Sequence, residues 1–220
     1  KYSDAIVKAE KHVSSLGEKF VANTKKVAQF AMSTALLSAF SGAIYKGVEA
    51  VKEFDSSLTE LKKVSDLSGD GLEAYTDRAF RLASQLSTTA SNVTDATASF
   101  VQAGFTQSES ESLAKTSITL QSISDNAMEM SDSTSFLTST LKSFNLTAGQ
   151  GEHVINSINE VSNKYALTSN DLTDNLGKVS GVANEAGVSF EQLLGLMTAS
   201  VEKTRNASKS ANAFKSIFIN

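Results

Sequence analysis

The chain has 220 residues, 40% apolar but only 7% aromatic, with no proline, cysteine or tryptophan and a net charge of −4. Without cysteine there are no disulfides, thiolate metal sites or thiol nucleophiles, and the acidic balance speaks against a general nucleic-acid-binding surface. Proline breaks helix interiors by removing a donor and clashing with the preceding turn, so its absence permits long uninterrupted helices.

The charge is uneven along the chain. Residues 1–63 hold ten basic residues against seven acids, and residues 64–220 hold ten against seventeen, giving +3 and −7. Two solvated surfaces of mild opposite sign account for this. The chain opens on Lys1 within an amphipathic pattern and stops at Asn220 in an apolar run, which reads as a fragment of a longer protein.

Residues 20–64 predict one long helix. Phe30, Leu37, Ile44, Val51 and Leu58 recur at intervals of seven, with Phe40, Phe54 and Leu61 three residues behind them. Ser33 and Gly47 interrupt that second register. A seven-residue apolar repeat keeps one seam facing a partner helix, so these five positions are the expected self-association seam of a homo-oligomer. A helix of about 45 residues spans about 67 Å, at about 1.5 Å per residue. Within it, residues 27–45 carry no charge, but Gln29, Ser33, Thr34, Ser38 and Ser41 make a buried seam a better account than a membrane span.

After Ser65-Asp66-Leu67-Ser68-Gly69-Asp70-Gly71 the pattern shortens, which divides the chain into a coiled-coil-like segment over 1–64 and a helical-hairpin bundle over 65–220. Stripes at three- and four-residue spacing predict eight further helices. The first carries Leu72, Tyr75, Ala79 and Leu82, and the second Val93, Ala96 and Phe100. Leu113 and Leu120 mark the third, Leu137, Leu141 and Phe144 the fourth, and Val154, Ile158 and Val161 the fifth. Leu172, Leu176, Val179 and Ala183 mark the sixth, Phe190, Leu194, Met197 and Val201 the seventh, and the eighth begins at 207. Each stripe is too narrow to be stable alone, so the helices must pack on neighbours. The expected fold is all-α: a long N-terminal heptad-patterned helix, then an array of short antiparallel hairpins.

The sharpest local signal is a helix-start signature behind an apolar residue, found three times: Phe105-Thr106-x-x-Glu109, Leu146-Thr147-x-x-Gln150 and Val188-Ser189-x-x-Gln192. The hydroxyl accepts from the N–H three residues on, and the Glu or Gln side chain reaches back to the cap residue's own N–H. The caps lie 41 and 42 residues apart. That is the period of a stacked helical-hairpin unit.

Chemistry is sparse. His12 and His153 each stand alone, and no metalloprotease, serine-hydrolase or phosphate-loop motif occurs. Gly149-Gln150-Gly151 has neither the strand nor the lysine of a phosphate loop, and flexibility at a helix start explains it better. The pairs Glu109 with Glu111 and Glu129 with Asp132 sit at predicted helix N-termini, where the macrodipole favours negative charge. Asn92, Asn145 and Asn206 begin glycosylation-like triplets that capping and turn roles explain. No catalytic, cofactor or metal site is expected.

Six segments together resemble the conserved core of the tape measure proteins of long-tailed bacteriophages. They are Phe54-Asp55-Ser56-Ser57-Leu58, Leu67-Ser68-Gly69, Gln102-Ala103-Gly104-Phe105-Thr106, Ser139-Thr140-Leu141-Lys142-Ser143-Phe144-Asn145-Leu146, Val182-Ala183-Asn184-Glu185-Ala186-Gly187-Val188-Ser189-Phe190-Glu191 and Ser210-Ala211-Asn212-Ala213-Phe214-Lys215-Ser216-Ile217. Their order and spacing, over roughly residues 48–218, carry the resemblance more than any one of them. The chain departs from the family at Asn206-Ala207-Ser208-Lys209, where members often have a Gly-rich stretch. The resemblance implies a non-enzymatic structural protein that fills the tail-tube lumen, sets tail length and is released during genome ejection. It implies as partners further copies of itself, tail-tube and tail-tip proteins, assembly chaperones in the host cytoplasm and a host membrane on ejection. The alternatives are a helical-repeat adaptor, which the scarcity of aromatic anchors disfavours, and a membrane-active helical protein acting through residues 27–45.

Overall fold

The computed structural model describes residues 34–124, 128–165 and 167–219, with side chains from residue 47 onward apart from residue 48. Among these residues every regular element is helical and none is a strand. The first helix, α1, runs Thr34–Val64. Its described buried side chains are Phe54, Ser57, Leu58 and Leu61, at i, i+3, i+4 and i+7, which is one face of a 3.6-residue helix. Lys62 and Lys63 occupy its last turn, where the carbonyl end of the dipole favours cations. At 31 residues the described helix is about 46 Å long. Residues 20–33 of the expected longer helix lie outside the described residues.

The chain divides into two units between Leu58 and Thr59. In the second, eight helices follow: α2 Gly69–Gln85, α3 Ala90–Gln102, α4 Gln107–Ile123, α5 Met130–Ser143, α6 Gly151–Lys164, α7 Ser169–Glu185, α8 Phe190–Thr204 and α9 Ala207–Ile219. A short 3-10 turn, Ala148–Gln150, leads into α6. The stripes read from the sequence supply the core. Phe100, Leu113, Leu137, Leu172, Val179 and Met197 are all fully covered, and each large aliphatic buried this way contributes roughly 1.5–3 kcal/mol. Edge-on ring pairs, Phe100 with Phe105 and Phe144 with Phe190, both 6.0 Å apart, tie helix ends to the same core.

The packing follows a rule. From α3 onward each odd-numbered helix packs on the next odd-numbered one: α3 on α5, α5 on α7, α7 on α9. The even-numbered helices α4 and α8 pack on the odd-numbered helix before them and on the one after, and α4 also packs on α6. Small residues permit the close approach. A Cβ added at Gly177 of α7 would lie 3.5 Å from the Ser139 hydroxyl of α5. Gly151, expected to supply flexibility, has ordinary helical angles. Its role is space: a Cβ there would come within 2.9 Å of Leu113 Cδ2 on α4.

Four connections share one construction. Ser87, Gly104, Asn145 and Gly187 are left-handed, with φ of 53°, 90°, 52° and 78°. The N–H of the next residue returns to the carbonyl five back: Thr88 to Ala83, Phe105 to Phe100, Leu146 to Leu141 and Val188 to Ala183, at 2.8–3.2 Å. This closes the preceding helix as a Schellman turn. One residue further on stands the N-cap of the next element: Thr89, Thr106, Thr147 or Ser189. One helix is stopped and the next started within three residues, so little conformational freedom remains in the joint.

Candidate functional site

The capping residues lie in these joints. Thr106 accepts from the Glu109 N–H at 3.4 Å, and Glu109 Oε2 accepts from the Thr106 N–H at 2.9 Å. The Thr106 hydroxyl and N–H on this oxygen hold the Glu109 carboxyl below the usual carboxylate range. Thr147 donates its N–H to Gln150 Oε1 at 2.9 Å, here capping the 3-10 turn. Ser189 donates its N–H to Gln192 Oε1 at 2.9 Å and accepts from the Gln192 N–H at 3.3 Å. A fourth joint has no such signature in the sequence because Asn92 stands where the other three have Glu or Gln. There Thr89 accepts from the Asn92 N–H at 3.1 Å. All these groups are spent on one another and on backbone, so their work is architectural.

The five seam positions are divided. Phe30 lies outside the described residues, and Leu37 and Ile44 lie on α1 where side chains are not described. Val51 is half-buried and Leu58 is only 3% exposed. Leu58 is therefore already covered within a single chain.

Two clusters join distant segments. Arg78 of α2 holds Glu111 of α4 in a two-pronged ion pair, Nε to Oε2 at 2.7 Å and Nη2 to Oε1 at 2.8 Å. Gln107 donates to the same carboxylate at 3.0 Å, and the Arg78 guanidinium stands 6.0 Å from the Tyr75 ring. Burial works to raise the Glu111 carboxyl, but Arg78 and Gln107 outweigh it and hold the group low. Glu111 thus serves Arg78 rather than the helix dipole alone. The Tyr75 hydroxyl donates to Thr94 of α3 at 3.3 Å, inside the core. Burial outweighs its hydroxyl contacts and pushes the Tyr75 phenol up. His153, read as solitary, is solvent-facing but meets Glu191 of α8 at 3.2 Å. A hydrogen bond from Glu191's own backbone N–H, with lesser help from His153 and Ser189, holds that carboxyl low.

A groove runs between α3 and α5, lined by Ser99, Gln102, Thr134, Ser135, Ser139 and Lys142. It offers hydroxyls and one amine, without a base positioned to activate any of them. Lys142 Nζ is committed to the Phe105 ring, 5.4 Å from its centroid. Among the described residues, no three His, Asp or Glu side chains gather to hold a metal ion, and no helix is long and apolar enough to cross a membrane. The asparagines of the glycosylation-like triplets do local work: Asn145 is a left-handed turn residue, and Asn206 Oδ1 accepts from the Lys209 N–H at 2.7 Å to cap α9.

Compared with known proteins, residues 76–220 match a family described as phage-related minor tail protein. No solved structure matches the chain.

Proposed function

The chain belongs to the phage-related minor tail protein family, and from that premise we propose that it is a segment of a tape measure, the protein that sets tail length from inside the tube. As a tail protein it has a structural role. In the proposed role it lies in the tail lumen, is packaged from the host cytoplasm with tail-tube, tail-tip and chaperone partners, and leaves with the genome. No catalysis is part of this reading.

The observation that carries the reading is the joint. A ruler must convert residue number into length reproducibly, and helix does so at about 1.5 Å per residue only if its interruptions are stereotyped. Four joints between successive elements place a left-handed residue at the same point, followed by the same returning hydrogen bond and an immediate cap. Such joints favour a stiff array of helix–turn–helix units over a chain of hinges. An unbroken helix of 31 residues, α1, is the kind of element a ruler needs, and a chain without cysteine cross-links suits a protein that must later be expelled.

The test is tail length by electron microscopy. An in-frame deletion of about 100 residues of continuous helix, placed in the gene that encodes this chain but outside the side-by-side helices of residues 69–219, should shorten tails by about 150 Å, in step with the helical rise. Tails of unchanged length would remove the ruler role and leave a minor tail protein of another structural kind.

A further inference from the structure

Helices α3, α5 and α7 can be compared position by position from the residues that precede them, Thr89, Glu129 and Thr168. Seven residues on stand Ala96, Phe136 and Asn175, and eleven residues on stand Phe100, Thr140 and Val179, all buried. Each position is apolar in two of the helices and polar in the third. The polar side chains are left unsatisfied there. Thr140 Oγ1 and Asn175 Oδ1 have no hydrogen-bond partner, in residues only 0% and 3% exposed. Asn170 Oδ1, in the first turn of α7, is a third such atom. By contrast, Thr94 and Thr97 of α3 donate to carbonyls one turn back, and Ser133 of α5 bonds Ser117 of α4. The unmade bonds therefore fall on α5 and α7, two helices that pack on each other.

Two further observations single out this contact. On its outer side the helices do not close up. A groove of about 280 Å³ lies between them, lined by Asp132, Ser135, Ser139, Thr173, Asp174 and Lys178. The connection from α6 into α7 also differs from the four stiff joints. Leu86, Ala103, Phe144 and Ala186 continue the turn at those joints, whereas Tyr165, the residue after α6, is already extended at φ −127° and ψ 157°. Helices α8 and α9 both pack on α7, so the three form one body. We propose that residues 169–219 part from the rest of the bundle as that body, opening along the face between α5 and α7 while each side keeps its own packing. Water then makes the hydrogen bonds that the closed state denies Thr140 and Asn175, which offsets part of the apolar surface exposed. The Phe144–Phe190 ring contact breaks on opening, as do the Ser162–Ser169 and His153–Glu191 bonds, whose polar partners are rehydrated. The opening gives side-by-side helices a change of shape without unfolding, and it does not depend on the tape measure reading.

The chain has no cysteine, so one introduced thiol reports on one place. Thr173→Cys puts it on α7, where position 173 borders the groove yet is only 3% exposed. Thr97→Cys, fully buried on α3 beside Tyr75 of α2, is the reference. Alkylation by iodoacetamide is followed in the full chain against urea, each rate taken relative to that of the same thiol in the unfolded chain. Where closing outpaces alkylation, the rate reads the population of the open form. Urea midpoints from circular dichroism give each variant's global stability, and each rate is compared with the one that stability alone would produce. Thr173→Cys should exceed that rate by at least about tenfold, with a shallower dependence on urea because opening exposes less surface than unfolding does. Thr97→Cys should match it. Adding Asn175→Leu should slow alkylation of Thr173→Cys about tenfold, because the buried unmade bond is gone. Thr140→Val should act in the same direction. A Thr173→Cys rate that global unfolding accounts for overturns the proposal. So does fast alkylation indifferent to both Asn175→Leu and Thr140→Val, since the unpaired atoms would then play no part in the opening.

Discussion

At the scale of the residue, the side chains with most to say join elements far apart in sequence. Arg78 and Glu111 are 33 residues apart and nothing local pairs them. Sequence alone offered the helix dipole as the reason for Glu111, and the structure supplies a guanidinium. The depressed carboxyl fixes the sign of its pH dependence. The pair's contribution is full above the ordinary carboxylate value near 4.5 and is lost as pH falls through the lowered folded value. Arg78 stays charged throughout. Glu111→Gln should cost about 1 kcal/mol near neutral pH, a modest figure because both side chains keep some contact with water. The variant should lose less stability than the parent as pH falls to about 3. Urea midpoints at the two pH values measure both. Equal acid sensitivity in variant and parent would show that other carboxylates carry the effect.

At the scale of the element, the joints are the unit of design. Their logic is local: a left-handed residue, a second residue that is apolar in three of the four (Phe105, Leu146, Val188) and Thr88 in the other, and a hydroxyl cap. Gly187 has open space around its missing Cβ, yet φ is +78°, so Gly187→Ala should lower stability by about 1 kcal/mol through backbone strain alone. Gly181, within α7, also has open space but helical φ, so Gly181→Ala should raise stability by about 0.5–1 kcal/mol. The same substitution thus has opposite signs six residues apart. Thr106→Ala should cost about 1 kcal/mol by uncapping α4. Thermal melts of the three variants give the order directly, and Gly187→Ala melting with the parent would remove the strain argument.

At the scale of the whole molecule, the same apolar repeat can be covered in one place and only half covered in another. The heptad pattern on α1 treats Leu58 and Val51 alike, but Leu58 is covered within one chain and Val51 only partly. If the seam expected from the heptad pattern pairs copies of the chain, the candidate positions exclude Leu58 and begin at Val51, with Ile44 seven residues before it. Ile44→Asp with Val51→Asp should reduce the light-scattering mass and keep the helical circular dichroism. Leu58→Asp should instead lower the melting temperature, because it buries a charge. A mass that ignores Ile44→Asp and Val51→Asp would dispose of the seam.

The amino-acid sequence by itself determined the helical class, the eight short helices after residue 65 and three of the four points where joints form. These rest on periodicity and on hydrogen bonds reaching three to five residues, distances over which the chain cannot avoid meeting itself. Tertiary structure alone decided which helix lies beside which, that Glu111 answers Arg78, and that Gly151 is there for space. Those facts depend on segments tens of residues apart being brought together. An apolar stripe records that a face must be covered and not what covers it.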